Sequence, residues 1–128
     1  MTIEDLKQIL SDSFEIENYG EYWVINNHFF CPIFDNQDMP INVFVKNGEI
    51  VLSDMGLTYK SLQEIGIDLE QKDLFDYLNK ILFTLSLNYD KEEHTLFVTT
   101  KNKSQISLLY SKLLQAIILL SYVDLQCE

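Results

Sequence analysis

The chain has 128 residues, 47% of them apolar and 12% aromatic, which is the make-up of one ordered domain with a core of its own. Its formal charge is −11, and all nine basic residues are lysine. Without arginine there is no bidentate phosphate fork and no strong positive footprint, so neither direct nucleic-acid binding nor phosphoryl transfer is expected.

The pattern along the chain predicts a single α+β domain over residues 1–128. From Thr2 to about Asp12, Ile3, Leu6, Ile9 and Leu10 share one helical face, with Glu4 and Asp5 at the positive N-terminus. Phe14–Glu17 alternates as a short strand, Asn18–Gly20 turns, and Tyr22–Asn26 is a second strand carrying the only Trp, Trp23. Phe29–Phe34 is a third strand, in which Pro32 removes one ladder donor and marks an edge or a bulge.

Ile41, Val43 and Val45 then alternate with Asn42, Phe44 and Lys46. Asn47-Gly48 follows, the strongest short hairpin signal, because a type I′ turn needs positive φ at both central residues. Glu49–Ser53 forms the return strand. Ser53-Asp54-Met55-Gly56 breaks it, Thr58 is the expected N-cap of a short helix to Glu64, and Gly66 sits where a helix stops in the left-handed conformation. A second helix runs from about Lys72 to Leu85, with Leu74, Leu78, Ile81, Leu82 and Leu85 at helical spacing. Leu85–Tyr89 and Thr95–Thr100 flank the turn Asp90–Glu93 as a second hairpin.

The last helix is expected from about Lys103 to Val123, capped by Asn102 or Ser104. Ile106, Leu109, Leu113, Ala116, Ile117 and Leu120 form one apolar stripe, while Leu108, Leu114, Ile118, Leu119 and Tyr122 fall largely outside it. A surface helix carries one stripe. This helix is therefore either central to the fold or part of a homodimer contact. The resulting expectation is an antiparallel sheet of about five or more strands packed on three to four helices.

The residues Pro32, Asp35, Pro40, Ile41, Leu52, Ser53, Asp54, Gly56, Thr58, Leu62 and Gly66 stand in an ordered pattern. In outline it is Pro-x-x-Asp, Pro-Ile, a strand, Asn-Gly, a strand, and Leu-Ser-Asp-x-Gly-x-Thr before a helix. This arrangement resembles a bacterial and phage family known only as a domain of unknown function. The turn Asp35–Met39 lacks the glycine often found there in the family. The resemblance implies an α+β fold and a tie to phage or other mobile elements, and it implies no activity.

Candidate chemistry is sparse. Cys31 and Cys127 lie at opposite ends of the chain outside any zinc spacing, Cys31 in an apolar run as a small buried hydrophobe. His28 and His94 read as solvated turn residues. Asp35, Asp38 and Asp54 can be brought together by the intervening strands, and three carboxylates can hold Mg²⁺ or Ca²⁺. No Glu-x-Lys stands on a neighbouring strand, as a nuclease of that type requires. No phosphate-binding loop, dinucleotide fingerprint, nucleophile elbow or HExxH is present. No cofactor is expected, and catalysis is not the favoured reading.

The acid is uneven along the chain. Residues 1–38 hold eight acids against one lysine, and residues 94–128 hold two against three. A one-sign surface steers association with the opposite sign. The leading expectation is a small, cytoplasmic, non-enzymatic binding protein of mobile-element origin that docks on a basic nucleic-acid-handling protein, as anti-CRISPR and other anti-defence inhibitors do. Its expected contacts are Glu15, Glu17, Glu21, Asp35 and Asp38. The alternatives are a divalent-metal enzyme or ligand-binding domain on Asp35, Asp38 and Asp54, and a dimeric scaffold or toxin–antitoxin component. The start Met-Thr-Ile-Glu-Asp carries no basic n-region, so no signal peptide is expected, and the apolar run Ala116–Leu120 is far short of a membrane span.

Overall fold

The computed structural model describes residues 15–18, 20, 22–26 and 40–122. The expected helix at 2–12, the expected strand at 29–34, and Glu21, His28, Cys31, Asp35, Asp38 and Cys127 lie outside the described residues.

Six strands form one antiparallel sheet: β1 (Glu15–Asn18), β2 (Tyr22–Asn26), β3 (Ile41–Lys46), β4 (Glu49–Ser53), β5 (Asn88–Asp90) and β6 (Thr95–Thr100). Their spatial order is β1-β2-β3-β4-β6-β5. Three helices accompany them: α1 (Leu57–Glu64), α2 (Lys72–Leu85) and α3 (Ile106–Leu120), the last preceded by a 3₁₀ turn at Lys103–Gln105. The architecture is α+β, with a long apolar C-terminal helix.

The two-residue period sorts the sheet into two faces. The register row Trp23–Val43–Leu52–Val98 lies on the helix side, together with Ile25, Ile41 and Leu96. All of these side chains are buried. The helix α3 lies across β4 and β6, and α2 packs on α3. Ile106, Tyr110, Leu113, Ala116, Ile117 and Leu120 are the buried residues of α3. Each buried Ile or Leu among them contributes about 1.5–3 kcal/mol. The stretch Lys103–Ser121 is long and apolar enough to cross a membrane. Six residues of α3 within it are buried and supply part of the core. Leu109, Leu114 and Ile118 pack at the edge of the same core, whereas Leu108, Leu119 and Tyr122 remain exposed.

Local signals explain the element ends. Asn47 and Gly48 have φ of 53° and 77°, as the tight turn between β3 and β4 demands. The helix α1 ends with Gly66 at φ 85°, its amide donating to Gln63 O and that of Ile67 to Leu62 O. This pair of bonds is the Schellman arrangement. The helix α2 ends the same way on a non-glycine: Ser86 has φ 57°, its amide bonding Phe83 O and that of Leu87 bonding Leu82 O.

Three expectations are corrected. Thr58 does not cap α1. It lies inside the first turn, Gly56 stands at the cap position, and the Asp54 carboxylate accepts the Gly56 and Thr58 amides. The strand after α2 starts at Asn88 rather than Leu85, because the Ser86 reversal and the burial of Leu87 come first. The last α-helix starts at Ile106 and ends at Leu120, with Asn102 capping the 3₁₀ turn before it by accepting the Ser104 amide at 3.0 Å.

Candidate functional site: an acid-rimmed groove and its braces

On the face of the sheet opposite the helices, two cross-strand rows run side by side. One is Tyr22–Phe44–Val51–Thr99 and the other is Val24–Asn42–Ser53–Phe97–Asn88. Alternation on β3, β4 and β6 places apolar and small polar side chains here. Among the described residues no helix covers them.

The central part of this face is a groove of about 480 Å³. Phe44, Val51 and Phe97 make its floor, and Met55, 60% exposed, stands at its end. Glu49, Asp90 and Glu93 line it against one base, Lys46. An apolar floor with an acid-dominated rim suits a ligand that is apolar along its length and positively charged at its edges.

Two braces hold the walls of this groove. The first is Asp54, at the end of β4. Its side chain is 3% exposed and accepts three backbone amides: Gly56 at 2.9 Å and Leu96 at 3.0 Å on Oδ1, and Thr58 at 3.3 Å on Oδ2. The Thr58 hydroxyl lies beside this carboxylate without reaching hydrogen-bond geometry. Burial pushes the Asp54 pKa up, and the neighbouring Thr58, Gly56 and Leu96 donors act against that rise. The amide of Leu57 closes the turn by donating to Asp54 O, with Met55 and Gly56 at φ 54° and 80°. This turn carries Met55 out to the groove.

The second brace holds the turn between β5 and β6, which carries Asp90 and Glu93. Asp90 Oδ1 accepts the amides of Glu92 at 2.9 Å and Glu93 at 3.2 Å. At the other end of the turn, His94 adopts φ 54° and its ring stacks on Tyr59 of α1, with centroids 3.9 Å apart and planes 7° from parallel. His94 Nδ1 bonds Glu70 Oε2, and the Tyr89 hydroxyl donates to the same oxygen at 2.9 Å. With the proton on Nδ1, two donors share one carboxylate oxygen, and the 3.5 Å between Tyr89 O and His94 Nδ1 is the approach of two donors. Phe75 meets Tyr89 edge-on at 6.1 Å, and Lys91 Nζ stands 5.1 Å above the Phe75 ring. Burial and the adjacent Glu70 carboxylate push the Tyr89 pKa far up.

His94 is therefore not the solvated turn residue its isolation in sequence suggested. Its partners lie 24 residues upstream at Glu70 and on the separate helix α1, and no short spacing signals them. A carboxylate-oriented imidazole is also the arrangement of a general base. Among the described residues, no hydroxyl or thiol bonds its outer nitrogen, and the constellation acts here as a clamp on the turn.

The expected contact residues are placed unevenly. Glu15 and Glu17 stand on β1, at the edge of the sheet, paired in register with Asn26 and Val24. Glu21, Asp35 and Asp38 lie outside the described residues. Of the three carboxylates considered for a metal, Asp54 has both oxygens engaged by backbone amides. Among the described residues no group of three or more His, Cys, Asp or Glu side chains is placed to hold a metal. Glu49, Asp90 and Glu93 were not singled out by their positions in the chain. Only the register of the sheet brings them together.

Compared with the curated proteins and with the solved structures, the chain matches none significantly. A family model described as "Domain of unknown function DUF1828" matches residues 31–119, more than two thirds of the chain. That span takes in β3 to β6, α1, α2, all but the last residue of α3 and both braces of the groove, and the chain belongs to this family.

Proposed function

We propose that this protein is a non-enzymatic binding protein whose open sheet face takes an extended, basic, partly apolar segment of a partner protein. The observation that carries the reading is the groove itself. Phe44, Val51 and Phe97 offer an apolar floor, and Glu49, Asp90 and Glu93 outnumber Lys46 around it. A segment alternating Lys or Arg with apolar side chains would lay one set on the floor and the other against the rim. The overall charge of −11 steers such a partner and repels nucleic acid. Basic segments of this kind are common in nucleic-acid-handling proteins. The biological role we propose is accordingly inhibition of one, in the manner of anti-CRISPR or other anti-defence proteins, in the cytoplasm. The mobile-element tie implied by the resemblance supports that role.

Fluorescence anisotropy with labelled peptides that alternate lysine or arginine with leucine or phenylalanine tests the reading. Binding is expected to weaken with salt and to fall about tenfold or more in Glu49→Lys and Glu93→Lys, the size of a lost interfacial charge contact. Equal binding of an acidic peptide of the same apolar pattern, or no loss in either variant, defeats it.

A further inference from the structure

The groove is electrically lopsided along the strands. Its lining falls into cross-strand rows: Lys46–Glu49, then Phe44–Val51–Thr99, then Ser53–Phe97, then Thr95–Asp90. Neighbouring rows on one face are two residues apart, about 7 Å, so the outermost rows stand about 20 Å apart. That exceeds the roughly 8 Å over which charges act on one another at physiological salt. Each end of the groove therefore attracts or repels a ligand by its own charges.

The two ends differ. At one, Lys46 and Glu49 are register partners of opposite sign, and Lys101 stands exposed one residue beyond the Ile50–Thr100 pair. At the other, the lining carries Asp90 and Glu93 and no base. Asp90 Oδ1 accepts the Glu92 and Glu93 amides, while among the described residues nothing bonds its Oδ2 or the Glu93 carboxylate. Lys91, between them in the chain, is turned to the Phe75 ring of α2 and does not neutralise them. The turn that bears these acids is already fixed by the Asp90 bonds and by the clamp of His94, Glu70, Tyr89 and Tyr59, so little ordering opposes binding there. Met55 stands at the same end, its sulfur accepting from the Ser53 hydroxyl at 3.5 Å, and offers an apolar rest for the stem of a Lys or Arg side chain.

We propose, resting on the groove reading above, that the occupant lies along the strands as an extended segment of about six residues with its cations gathered at one end. Those cations sit over Asp90 and Glu93. The neutral, apolar remainder covers Phe44 and Val51 and ends at the Lys46–Glu49 pair. Asp90 and Glu93 form the cation subsite, and Lys46 keeps a second cation from the far end. Specificity then follows from where charge stands in the segment as well as from how much there is.

Fluorescence anisotropy at physiological salt tests this with two labelled, end-capped peptides of that length and identical composition. One carries both lysines at alternate positions of one half, and the other carries one lysine at each end. The first is expected to bind about threefold or more tightly, the worth of one solvent-exposed ion pair. Glu93→Gln is expected to erase the difference by weakening the first peptide, and Lys46→Glu to erase it by tightening the second. Glu92→Gln, in the same turn but outside the groove lining, removes the same unit of charge and is expected to keep the difference. A nitroxide on the charged end of the first peptide is expected to broaden the amide resonances of Met55 and Thr95 more than those of Lys46 and Asn47. Equal affinity for the two peptides overturns the proposal and leaves the groove reading standing. So does a difference that survives both Glu93→Gln and Lys46→Glu, a difference lost in Glu92→Gln, or broadening strongest at Lys46. Binding of neither peptide removes the groove reading and this proposal with it.

Discussion

Asp54 and Leu96, 42 residues apart in sequence, are joined by two hydrogen bonds: the Asp54 amide donates to Leu96 O at 3.0 Å, and the Leu96 amide donates to Asp54 Oδ1 at 3.0 Å. The pair fastens the end of β4 to the start of β6 where α1 begins. Replacing Asp54 with Ala leaves the Gly56, Thr58 and Leu96 amides without this acceptor. A buried unmet donor costs about 1–3 kcal/mol, so Asp54→Ala should lose on the order of 3 kcal/mol or more. Asp54→Asn retains one acceptor oxygen and should lose less. Urea denaturation of the two variants measures the order; equal stability of Asp54→Ala and the parent rules the clasp out.

Gly56 and Gly48 make a matched comparison. Their φ angles are 80° and 77°, so a Cβ at either pays about 1–2 kcal/mol for the left-handed backbone. At Gly48 nothing lies within 4 Å of that Cβ, whereas at Gly56 it would meet Glu93 O at 3.3 Å and His94 O at 3.6 Å. Gly56→Ala should therefore be the costlier change. It should also shift the amide resonances of Glu93 and His94, which Gly48→Ala leaves in place.

Tyr89 supplies a pH dependence. Its folded pKa lies above the unfolded value of 10.0, through burial first and the Glu70 carboxylate second. Above pH 10.0 the unfolded chain releases a phenolic proton that the folded chain retains, so the folded state is disfavoured as the pH rises. Stability should decline on the alkaline side of pH 10.0, and Tyr89→Phe should make that decline shallower. Tyr59 is shifted in the same direction and keeps some slope in the variant. Denaturation midpoints at pH 9 and pH 11, on the order of one unit either side of the tyrosine range, compare the two proteins.

The helix α3 can be tested by contrast between its faces. Leu113 is 0% exposed and Leu108 is 51% exposed on the same helix. Leu113→Ala should cost about 2–5 kcal/mol, the range for emptying a core leucine site. Leu108→Ala should change stability by within about 0.5 kcal/mol. Thermal denaturation under low-concentration conditions separates these effects from any change in self-association.

The parts legible in the sequence are those whose causes are local. Asn47-Gly48 between two alternating runs identifies the β3–β4 hairpin, and the leucine spacing from Lys72 to Leu85 marks the bounds of α2. The apolar excess of the last helix left two alternatives, a central position or a homodimer contact, and its six buried residues fit the first. Thr58 looked like a cap because it stands before a helical run, but the helix already starts at Leu57, and Asp54 accepts the Gly56 and Thr58 amides ahead of it. An Asp placed two residues before a left-handed glycine was the available signal. The insertion of β6 between β4 and β5 was not legible, because it depends on strands more than forty residues apart. For the same reason the meeting of Glu49, Asp90 and Glu93, and that of Glu70, Tyr89, His94 and Tyr59, left no pattern along the chain.

The Leu52–Thr58 signature is spent on shape. Leu52 fills the core, Asp54 ties three amides, Gly56 makes room for the β5–β6 turn, and Thr58 is buried beneath it. A protein recognised by these letters alone is thereby known to own the scaffold and nothing else. Kinship through this motif therefore carries a shape from one member to another and no role with it.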